Sequence, residues 1–337
     1  SIEIRDTEHS FFRLDLFQKS LEAHYEERKG TWRPNVRAMT KNWLDMGLRP
    51  RAVTRDIEWG IELPLEGEEW HSKRVYVWFE AVQGYYTCAR IWAEQYAVKA
   101  EHPDGNDAWG RWWKISEDGR EPKHIYFMGK DNIPFHTIIW PAIIMGMNAA
   151  NSDDTITHLP IPGHLALENN VPANEYLMLQ GGQFSKSRRH AVWLPSFLSR
   201  FDPDTLRYYL SINMPEGHDT DFRWDEFVDR VNNELIGTYA NFVHRVMTLA
   251  HRLPSDGGNP LSSFFDPTDY QEYTSNVQEL MNEAIQSMER QRFKEALRSI
   301  MSIAQSGNSI LQTAAPWEHL EDPDSEESRS SLSALAY

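Results

Sequence analysis

The segment 124–147 constrains the fold of this chain more than any other part of its sequence. It begins with the apolar run His-Ile-Tyr-Phe-Met, turns at 129–131, and continues as a predicted helix that starts at Pro134. Such an order of strand, tight turn and helix is one half of a β-α-β unit. Residues 74–79 and 83–100 repeat the order, with a strand pattern followed by a helix pattern. Alternating strands and helices predict an α/β fold with a doubly wound, parallel sheet.

The last third of the chain has a helical pattern instead. Residues 225–252 contain no proline and carry apolar side chains at spacings of three and four, which predicts a long amphipathic helix. Two more helices are predicted over 273–291 and 293–312, so this end of the chain is expected to be a helical bundle. The change of pattern places a domain boundary near residue 215.

Composition limits the class of partner. The 337 residues carry a formal net charge of -16, so general nucleic-acid affinity and a DNA partner are not expected, and any RNA contact must come from local patches. Cys88 is the only cysteine, which excludes an intrachain disulfide and fits a reducing, cytoplasmic location. No apolar run approaches the ~20 residues of a membrane-spanning helix, so no membrane partner is expected.

The segment 180–189 brings together residue types that bind phosphate. It reads Gly-Gly-Gln-Phe-Ser-Lys-Ser-Arg-Arg from Gly181 onward. Glycine lets the backbone approach a phosphate, the serine hydroxyls donate hydrogen bonds, and Lys186 supplies a compact charge for a developing oxyanion. The ordinary alternative is a solvated basic loop, which the pattern taken alone favours.

Gly129 and Asp131 lie where a predicted strand meets a helix, the carboxyl edge at which open parallel sheets bind ligands. Glycine permits close backbone approach, and a carboxylate accepts hydrogen bonds from ribose hydroxyls. Asp131 could equally be an ordinary helix N-cap. His136 and Trp140 are four residues apart and share a helix face, where an aromatic stripe is usually core.

Three segments, in this order along the chain, resemble motifs of the methionyl-tRNA synthetase family, which belongs to class I of the aminoacyl-tRNA synthetases. Residues 78–85 are similar to a Trp-(Leu/Phe)-(Asp/Glu)-Ala-x-x-Gly-Tyr element, 129–136 to a Gly-x-Asp-x-x-x-x-His element, and 183–187 to the signature usually written Lys-Met-Ser-Lys-Ser. The resemblance covers roughly residues 74–320. It implies the second half of a Rossmann-like class I catalytic domain, followed by an all-α anticodon-binding bundle.

The resemblance implies a role for each matched residue. The catalytic residues implied are Ser185, Lys186 and Ser187. Those implied to bind ATP are Gly129, Asp131, Leu177, Phe184 and Lys186. Those implied to bind methionine are Trp78, Ala81, Tyr85, Asn132, Phe135, His136 and Trp140. A thioether packs against ring edges at roughly 0.3 to 1.5 kcal/mol per contact, so an aromatic cage suits methionine.

A second set of residues lies at the helical end. Asn241 and Arg245 are four apart beside the apolar stripe of the predicted long helix, and Trp317 follows Pro316 after the later helices. An amide, a guanidinium and an indole suit unpaired RNA bases, although taken alone they are ordinary surface and packing residues. The family uses an Asn-x-x-x-Arg pair and a Trp after Pro on the CAU anticodon, which implies that all three bind the anticodon of tRNA(Met).

The sequence departs from the family pattern at Val82, Gln83 and Gln183, where the family commonly has Pro, Ile and Lys. The family's His-x-Gly-His signature is not recognised, and 161–164 is rejected as an echo because of its position. We therefore expect a chain that lacks the N-terminal part of the catalytic domain. Zinc is expected only in that missing part, and no metal site is expected here.

The domains predicted are the end of a connective insertion over 1–72, the C-terminal half of the catalytic domain over 73–214, and a helical anticodon-binding domain over 215–337. The middle domain carries the signature loop, residues 183–187. We expect the boundary at 215 to separate catalysis from tRNA recognition.

The function predicted is that of a ligase that activates methionine with ATP and Mg²⁺ and transfers it to tRNA(Met), inactive as this fragment alone. Two alternatives stay open: a non-catalytic tRNA-binding protein on the same scaffold, and a class I synthetase for another hydrophobic amino acid. The main geometric prediction is that Trp78, Asp131, His136 and Lys186 converge on one cleft.

Overall fold

The computed structural model describes residues 6–152, 155–253, 260–264, 266, 269–323 and 325–336. The chain divides into two compact units, Ser1–Glu175 and Tyr176–Tyr337. We call them unit 1 and unit 2.

Among its described residues, unit 1 forms short strand pairs connected by helices. The antiparallel pairs are β1 (Phe11–Phe12) with β2 (Arg51–Ala52) and β3 (Thr54–Arg55) with β4 (Arg74–Val75), and the parallel pair is β5 (Met128–Gly129) with β6 (Ala173–Asn174). The α-helices are α1 (Gln18–Arg28), α2 (Pro34–Asp45), α3 (Glu68–His71), α4 (Val77–Ala81), α5 (Gly84–Trp92), α6 (Gly110–Trp113) and α7 (Trp140–Ser152). Tighter 3₁₀ turns cover Leu14–Phe17, Gly105–Asp107 and Lys130–Asn132, and wider π turns cover Ala93–Ala97 and Phe135–Ile139.

The predicted order of strand, turn and helix over 124–147 is confirmed. Ile125 bridges Asn170 in parallel, ahead of the β5–β6 pair. The 3₁₀ turn at Lys130–Asn132 then leads through the π turn into α7, which ends at Ser152. The turn therefore lies at the carboxyl end of a parallel strand, as the sequence predicted.

The strand predicted over 74–79 was wrong beyond residue 75. β4 pairs antiparallel with β3, and the chain turns helical at Val77. The β-branched and aromatic residues that suggested a strand are used for packing instead: the ring of Phe79 lies 5.4 Å from that of Phe12. Strand propensity reports a good fit to a half-buried surface, and a short helix can meet the same requirement.

The first seventy residues share the main hydrophobic core of unit 1. Leu14, Phe17 and Leu21 pack in one cluster with apolar residues of α7. Phe17 lies so close to α7 that a Cβ on Gly146 would be 3.3 Å from its ring. Burial of each such leucine or phenylalanine stabilises by about 1.5–3 kcal/mol, so this segment is an integral part of the unit's core.

One helix of the described residues has the length and composition of a membrane span, contrary to the sequence expectation that no run approaches it. It runs from Lys130 to Asn151, and its most apolar 18-residue stretch has a mean hydropathy of 1.3 and is 72 % buried inside the protein. That burial accounts for its apolar character, because it is the central core helix of unit 1.

Unit 2 begins with a three-stranded sheet. β7 (Leu177–Leu179) lies between β8 (Gly182–Gln183), which is antiparallel to it, and β9 (Thr220–Phe222), which is parallel. The α-helices are α8 (Leu194–Leu198), α9 (Pro203–Ile212), α10 (Trp224–Arg230), α11 (Asn241–Ala250), α12 (Gln271–Glu289), α13 (Phe293–Ala314) and α14 (Glu326–Ser333), with a π segment at Val231–Ala240 and 3₁₀ turns at Pro260–Ser263 and Pro316–Glu318.

The helices predicted for this end are confirmed. α10, the π segment and α11 form one continuous helical run over 224–250, and α12 and α13 begin and end within two residues of the predicted bounds. α11 approaches α13 at Gly307, where a Cβ would lie 2.4 Å from the ring of Phe242. Only glycine permits this contact without a shift of one of the two helices.

The compact units divide at 175/176, forty residues before the predicted boundary near 215. Hydrogen bonds explain the difference, because β7 pairs with β9 across the predicted boundary and Asn213 donates to the carbonyl of Asp221. Tyr208 also donates to Glu234 at 2.6 Å. The signature loop therefore belongs to the same compact unit as the helical end, while the division of functions between domains stays a prediction.

Candidate functional site

Six rings of unit 1 form what we call the aromatic cluster: Trp78, Tyr85, Tyr126, Phe135, His136 and Trp140. Tyr85 is at its centre, with ring centroids 4.9 Å from Tyr126 and 5.7 Å from His136. Trp78 packs on Phe135 at 5.7 Å. All of these except Tyr126 are residues that the family resemblance assigned to one pocket, and they are up to 62 positions apart in the sequence.

Hydrogen bonds fix the protonation pattern of His136. Its Nδ1 lies 2.9 Å from the carbonyl oxygen of Asn132, so Nδ1 carries the proton and donates. Nε2 is then the acceptor, and the Tyr85 hydroxyl, 2.9 Å away, donates to it. Burial lowers the pKa of the His136 imidazole and raises the pKa of the Tyr85 phenol. Both groups are therefore neutral at neutral pH.

Trp140 is fully buried and forms the floor of the cluster. Its indole N–H donates to the Tyr126 hydroxyl at 3.0 Å. Burial also raises the pKa of Tyr126 well above its usual value. Sequence analysis missed Tyr126; the signal was its position in the strand run 124–128, where it alternates with the exposed Phe127.

The outer side of the cluster is open to solvent. Trp78 is 48 % exposed and Tyr85 is 44 % exposed, and Ala81 is exposed at the last residue of α4. Half-exposed rings above a buried, neutral His136 form a surface that can hold a polarizable, uncharged side chain. A charged side chain would meet no counter-charge among these rings.

Gly129 and Asp131 lie at the strand end next to the cluster. Gly129 has extended backbone angles, and a Cβ there would meet nothing within 4 Å, so open space and not local strain surrounds it. Asp131 is exposed within the 3₁₀ turn. The neighbouring Lys130 is held by Glu175 at 2.6 Å. This edge can therefore accept a ligand that approaches the backbone and offers hydroxyl groups to a carboxylate.

A buried hydrogen-bonded pair that sequence analysis missed connects the N-terminal segment to the rest of unit 1. His24 of α1 lies 2.8 Å from Glu168, and both side chains are almost completely buried. The two residues are 144 positions apart, so no local pattern predicts the pair. The charge of Glu168 acts on the pKa of His136 as a minor influence, opposed by the larger effect of burial.

The signature loop, residues 183–187 in unit 2, continues from the β7–β8 hairpin. The hairpin turns at Gln180 and Gly181, both with positive φ, the geometry that matches strand twist in two-residue hairpins. A second tight turn follows, closed by two backbone hydrogen bonds between Ser185 and His190. Arg189 within that turn also has a positive φ of 54°.

The side chains predicted for catalysis lie at this second turn. Lys186 is exposed, and no hydrogen bond or ion pair with the described residues engages its ammonium group. The Ser185 and Ser187 hydroxyls lie 3.2 Å apart, and Ser185 accepts from the Arg188 N–H at 3.3 Å. Two hydroxyls, an unpaired ammonium and turn amides are groups that bind a multiply charged anion.

Two of the residues predicted to bind ATP, Leu177 and Phe184, have different settings. The backbone of Leu177 is part of β7, in register with Thr220 of β9. Its side chain packs against the hydrophobic cluster that includes Leu179 and Phe222. Phe184 is 40 % exposed at the start of the signature loop. An exposed ring beside a strand end can stack on a planar base.

The three residues predicted to bind an anticodon are brought together by the contact between α11 and α13. The Arg245 guanidinium lies 5.4 Å from the Trp317 ring centroid, and it donates to Asn308 Oδ1 at 3.2 Å. Asn308 is oriented by its own bonds to the carbonyls of Thr238 and Ala304. Asn241 is exposed one helical turn before Arg245.

Asn308 was missed by sequence analysis, since a lone amide on a helix carries no pattern. Its neighbour Gly307 was the available signal, because a glycine within a helix often marks a close helix crossing. The prediction that Lys186 converges with the aromatic cluster on one cleft stays a prediction.

Comparison with known proteins agrees with this geometry. The family described as tRNA synthetases class I (M) matches residues 1–247. The chain belongs to this family. It therefore has the fold of a class I, Rossmann-like synthetase followed by a helical region, as the sequence predicted.

Individual relatives lie within the same family. A protein of Roseiflexus sp. (strain RS-1) named methionine–tRNA ligase is 39 % identical over 319 residues, which cover 94 % of this chain and 50 % of that protein. A protein of the same name from Dehalococcoides mccartyi is 41 % identical over 334 residues, or 99 % of this chain and 55 % of the relative. The chain thus spans about half the length of these relatives.

A solved structure shows the same fold. The crystal structure of Mycobacterium tuberculosis methionyl-tRNA synthetase bound by methionyl-adenylate has a TM-score of 0.72 at 22 % sequence identity, over 97 % of this chain and 57 % of that one. A free-state structure of the same enzyme gives a TM-score of 0.70.

Proposed function

We propose that this chain carries the methionine side-chain site, the signature loop and the anticodon-binding surface of a methionine–tRNA ligase. In the first step a carboxylate oxygen of methionine attacks the α-phosphorus of ATP, and the bond to the β-phosphate breaks with loss of pyrophosphate. In the second step a terminal ribose hydroxyl of tRNA attacks the methionyl carbonyl, and AMP leaves. Neither step needs a nucleophilic side chain, since positioning and charge stabilisation are sufficient.

The observation that carries the proposal is the aromatic cluster. It combines the packed rings of Trp78 and Phe135 with the neutral, hydrogen-bonded pair of Tyr85 and His136, which suits a thioether better than any charged side chain. Ala81 has a small side chain that leaves room at the exposed side of the cluster. The carbonyl of Asn132 orients the His136 ring, and Trp140, bonded to Tyr126, forms the floor. Relatives named methionine–tRNA ligase at about 40 % identity support this assignment.

The remaining groups have roles that follow from their chemistry. Gly129 and Asp131 hold the ribose of ATP, and Leu177 and Phe184 meet its adenine. Lys186, with Ser185 and Ser187, stabilises the charge that develops on pyrophosphate. Mg²⁺ enters as the complex with ATP. Convergence of Lys186 with the aromatic cluster on one cleft is part of this proposal.

The anticodon-binding surface consists of Asn241, Arg245 and Trp317. Trp317 offers a stacking face for an unpaired base, and Arg245, stacked on it, offers hydrogen bonds to a base edge. The unpaired CAU bases of tRNA(Met) are the partner proposed. Since the chain has an overall negative charge, binding depends on this local surface.

The test is amino-acid-dependent exchange of pyrophosphate into ATP, made with the full-length protein encoded by the gene. We expect exchange with methionine and at least about a hundredfold less with leucine or isoleucine, because the pocket discriminates by shape and polarizability. Tyr85→Ala should raise the KM for methionine by about tenfold or more. Tyr96→Ala, a 61 % exposed ring that follows α5, is the matched control and should leave KM unchanged.

Two outcomes would favour an alternative. tRNA binding without methionine-dependent exchange would indicate a non-catalytic tRNA-binding protein on this scaffold. Exchange that prefers leucine or isoleucine would indicate a synthetase for another hydrophobic amino acid.

A further inference from the structure

The signature loop is joined to the strand before it through one side chain that neither the motif nor the comparisons assign. His190 Nε2 lies 2.7 Å from the backbone carbonyl oxygen of Leu179. A carbonyl oxygen only accepts, so Nε2 carries a proton and donates. The bond connects the end of the Ser185–His190 turn to the last residue of β7, eleven positions earlier.

The local packing is arranged around this imidazole. A Cβ on Gly182 would lie 3.0 Å from His190 Nε2 and 3.5 Å from its Cδ2. The φ of Gly182 is not in the left-handed region, so its backbone does not require glycine. The imidazole itself occupies the space that a side chain at 182 would fill.

The backbone of His190 closes the turn at the same point. Its N–H and carbonyl form the two hydrogen bonds to Ser185, at 3.0 and 2.9 Å. The backbone bonds thus fix the base of the turn that presents Lys186, and the side chain fixes that base to β7. The Gly181 N–H, bonded to Asp221 at 2.9 Å, anchors the neighbouring hairpin turn to β9.

We propose that His190 is a positioning residue for the first reaction step: its Nε2–H···O bond to Leu179 holds the turn so that Lys186 is presented in one orientation. The inference rests on the proposed function, in which Lys186 meets the leaving pyrophosphate. An exposed lysine with four rotatable bonds loses much of its charge stabilisation when its backbone drifts. His190 touches neither substrate and acts only through the turn.

The kinetic test compares two substitutions at His190 in the full-length protein. His190→Leu keeps the size but removes the donor, and should lower the kcat of methionine-dependent pyrophosphate exchange about five- to tenfold, the effect of one lost hydrogen bond. His190→Gln places an amide N–H near Nε2 and should remain within about twofold of the wild type. The KM for methionine should not change, because its proposed pocket is built from residues 78–140.

A double-mutant cycle tests the packing independently. Gly182→Ala alone should displace the imidazole and lower kcat as His190→Leu does. In a His190→Ala background the added methyl group meets open space, so Gly182→Ala should have no further effect. Full additivity of the two substitutions would contradict the proposed positioning role of His190.

Trypsin provides a readout that does not depend on catalysis. Cleavage after Lys186, Arg188 or Arg189 requires the turn to open, and His190→Leu should accelerate it about five- to tenfold. His251→Leu is the matched control, because His251 also donates to a backbone carbonyl, that of Met247 at 2.7 Å, but at the end of α11. It should change neither trypsin cleavage within residues 183–190 nor kcat.

The outcomes separate the two proposals. Wild-type protein without methionine-dependent exchange would refute the proposed function. The trypsin comparison would still test whether the hydrogen bond from His190 to Leu179 holds the turn. Active wild-type protein whose kcat and cleavage rate are unchanged by His190→Leu would overturn the inference. The inference would also be overturned if His190→Gln lost as much kcat as His190→Leu while the melting temperature of His190→Gln equalled that of the wild type.

Discussion

The aromatic cluster of unit 1 and the signature loop of unit 2 are built in opposite ways. In the cluster the proposed binding residues rest directly on the core: Trp78 and Tyr85 are half-exposed, and Trp140 at the floor has no solvent exposure. In the loop the functional side chains are exposed, and backbone bonds around Ser185 and His190 fix their position. A binding site for an apolar side chain must itself be apolar, so it merges with the core. A site for phosphate must keep its charges hydrated until the ligand arrives.

This difference separates stability from activity. Changes at the floor of the cluster should lower the free energy of unfolding, whereas changes at the loop should lower turnover of a protein that remains equally stable. The proposed anticodon-binding surface, with a half-buried Trp317 and a hydrogen-bonded Arg245, lies between these extremes.

The largest effect is expected at the cluster floor. Trp140→Ala should lower the free energy of unfolding by about 3–5 kcal/mol, since it leaves a cavity and removes the donor to Tyr126. Urea denaturation followed by circular dichroism measures it. Trp59→Ala, at an 86 % exposed indole, is the control and should change stability by less than about 0.5 kcal/mol. Equal losses in the two variants would show that Trp140 is not a core residue.

Lys186→Ala should give the converse result. We expect kcat for methionine-dependent pyrophosphate exchange to fall about 10²- to 10³-fold, in line with removal of a preorganised charge from a developing oxyanion. The free energy of unfolding should change by less than about 0.5 kcal/mol, since Lys186 is exposed. Lys99→Ala, another exposed lysine, should alter neither quantity. A large loss of stability in Lys186→Ala would contradict the separation of the two regions.

The anticodon-binding surface should respond more weakly. Arg245→Ala should weaken binding of tRNA with a CAU anticodon by about 1–3 kcal/mol, because Trp317 loses the group stacked on it and a base edge loses a donor. Asn308→Ala should cost about 0.5–1.5 kcal/mol, since Arg245 keeps its position on Trp317 and loses only the acceptor that orients it. Filter binding with CAU and altered anticodons measures both. If exposed Arg298→Ala weakens binding as much, the effect is general electrostatics.

The smallest effect is a pH dependence of the stability of unit 1. Burial lowers the pKa of His136 and of His124 in the folded state, so between the folded and unfolded values the unfolded chain binds more protons. Their contribution is fully present above the unfolded value, about 6.5, and is lost as pH falls below it. The hydrogen bond from Arg13 lowers the pKa of the Asp15 carboxyl, which moves its titration further away from this window.

Urea denaturation at pH 7.5, 6.5 and 5.5 measures this slope. His136→Gln should reduce it, while Trp59→Ala, at an exposed ring that does not titrate, should not. A slope that His136→Gln leaves unchanged would mean that this imidazole is not held neutral by burial.

Much of the fold could be predicted because its signals are local. Periodicity gave α12, α13 and the helical run 224–250, and the strand–turn–helix order gave β5 and the helix after it. The strand at 74–79 was predicted too long because β propensity and the packing needs of a short helix select the same residues. The predicted boundary near 215 differs from the division between the compact units at 175/176, because β7 and β9 pair across a long stretch of sequence.

The residues of the candidate site also fall into those with a local sequence signal and those without one. Motif spacing predicted Lys186, Asp131 and five of the six rings of the cluster as site residues, but pointed to neither Tyr126 nor Asn308 nor His190. Those three act through partners 14, 63 and 11 positions away, Trp140, Arg245 and Leu179. A single sequence records the order of such residues but not their contacts.

The sequence by itself determined the family, the helical character of the second half and the residue types at the proposed site. Motifs and periodicities depend on residues that are close together along the chain, so they can be recognised in the sequence before the fold is known. Only the tertiary structure decided that Trp140 lies buried under Tyr126, that His190 reaches Leu179, and that Arg245 stacks on Trp317. These contacts depend on burial and close packing of side chains from distant segments, and such packing exists only after the chain has folded.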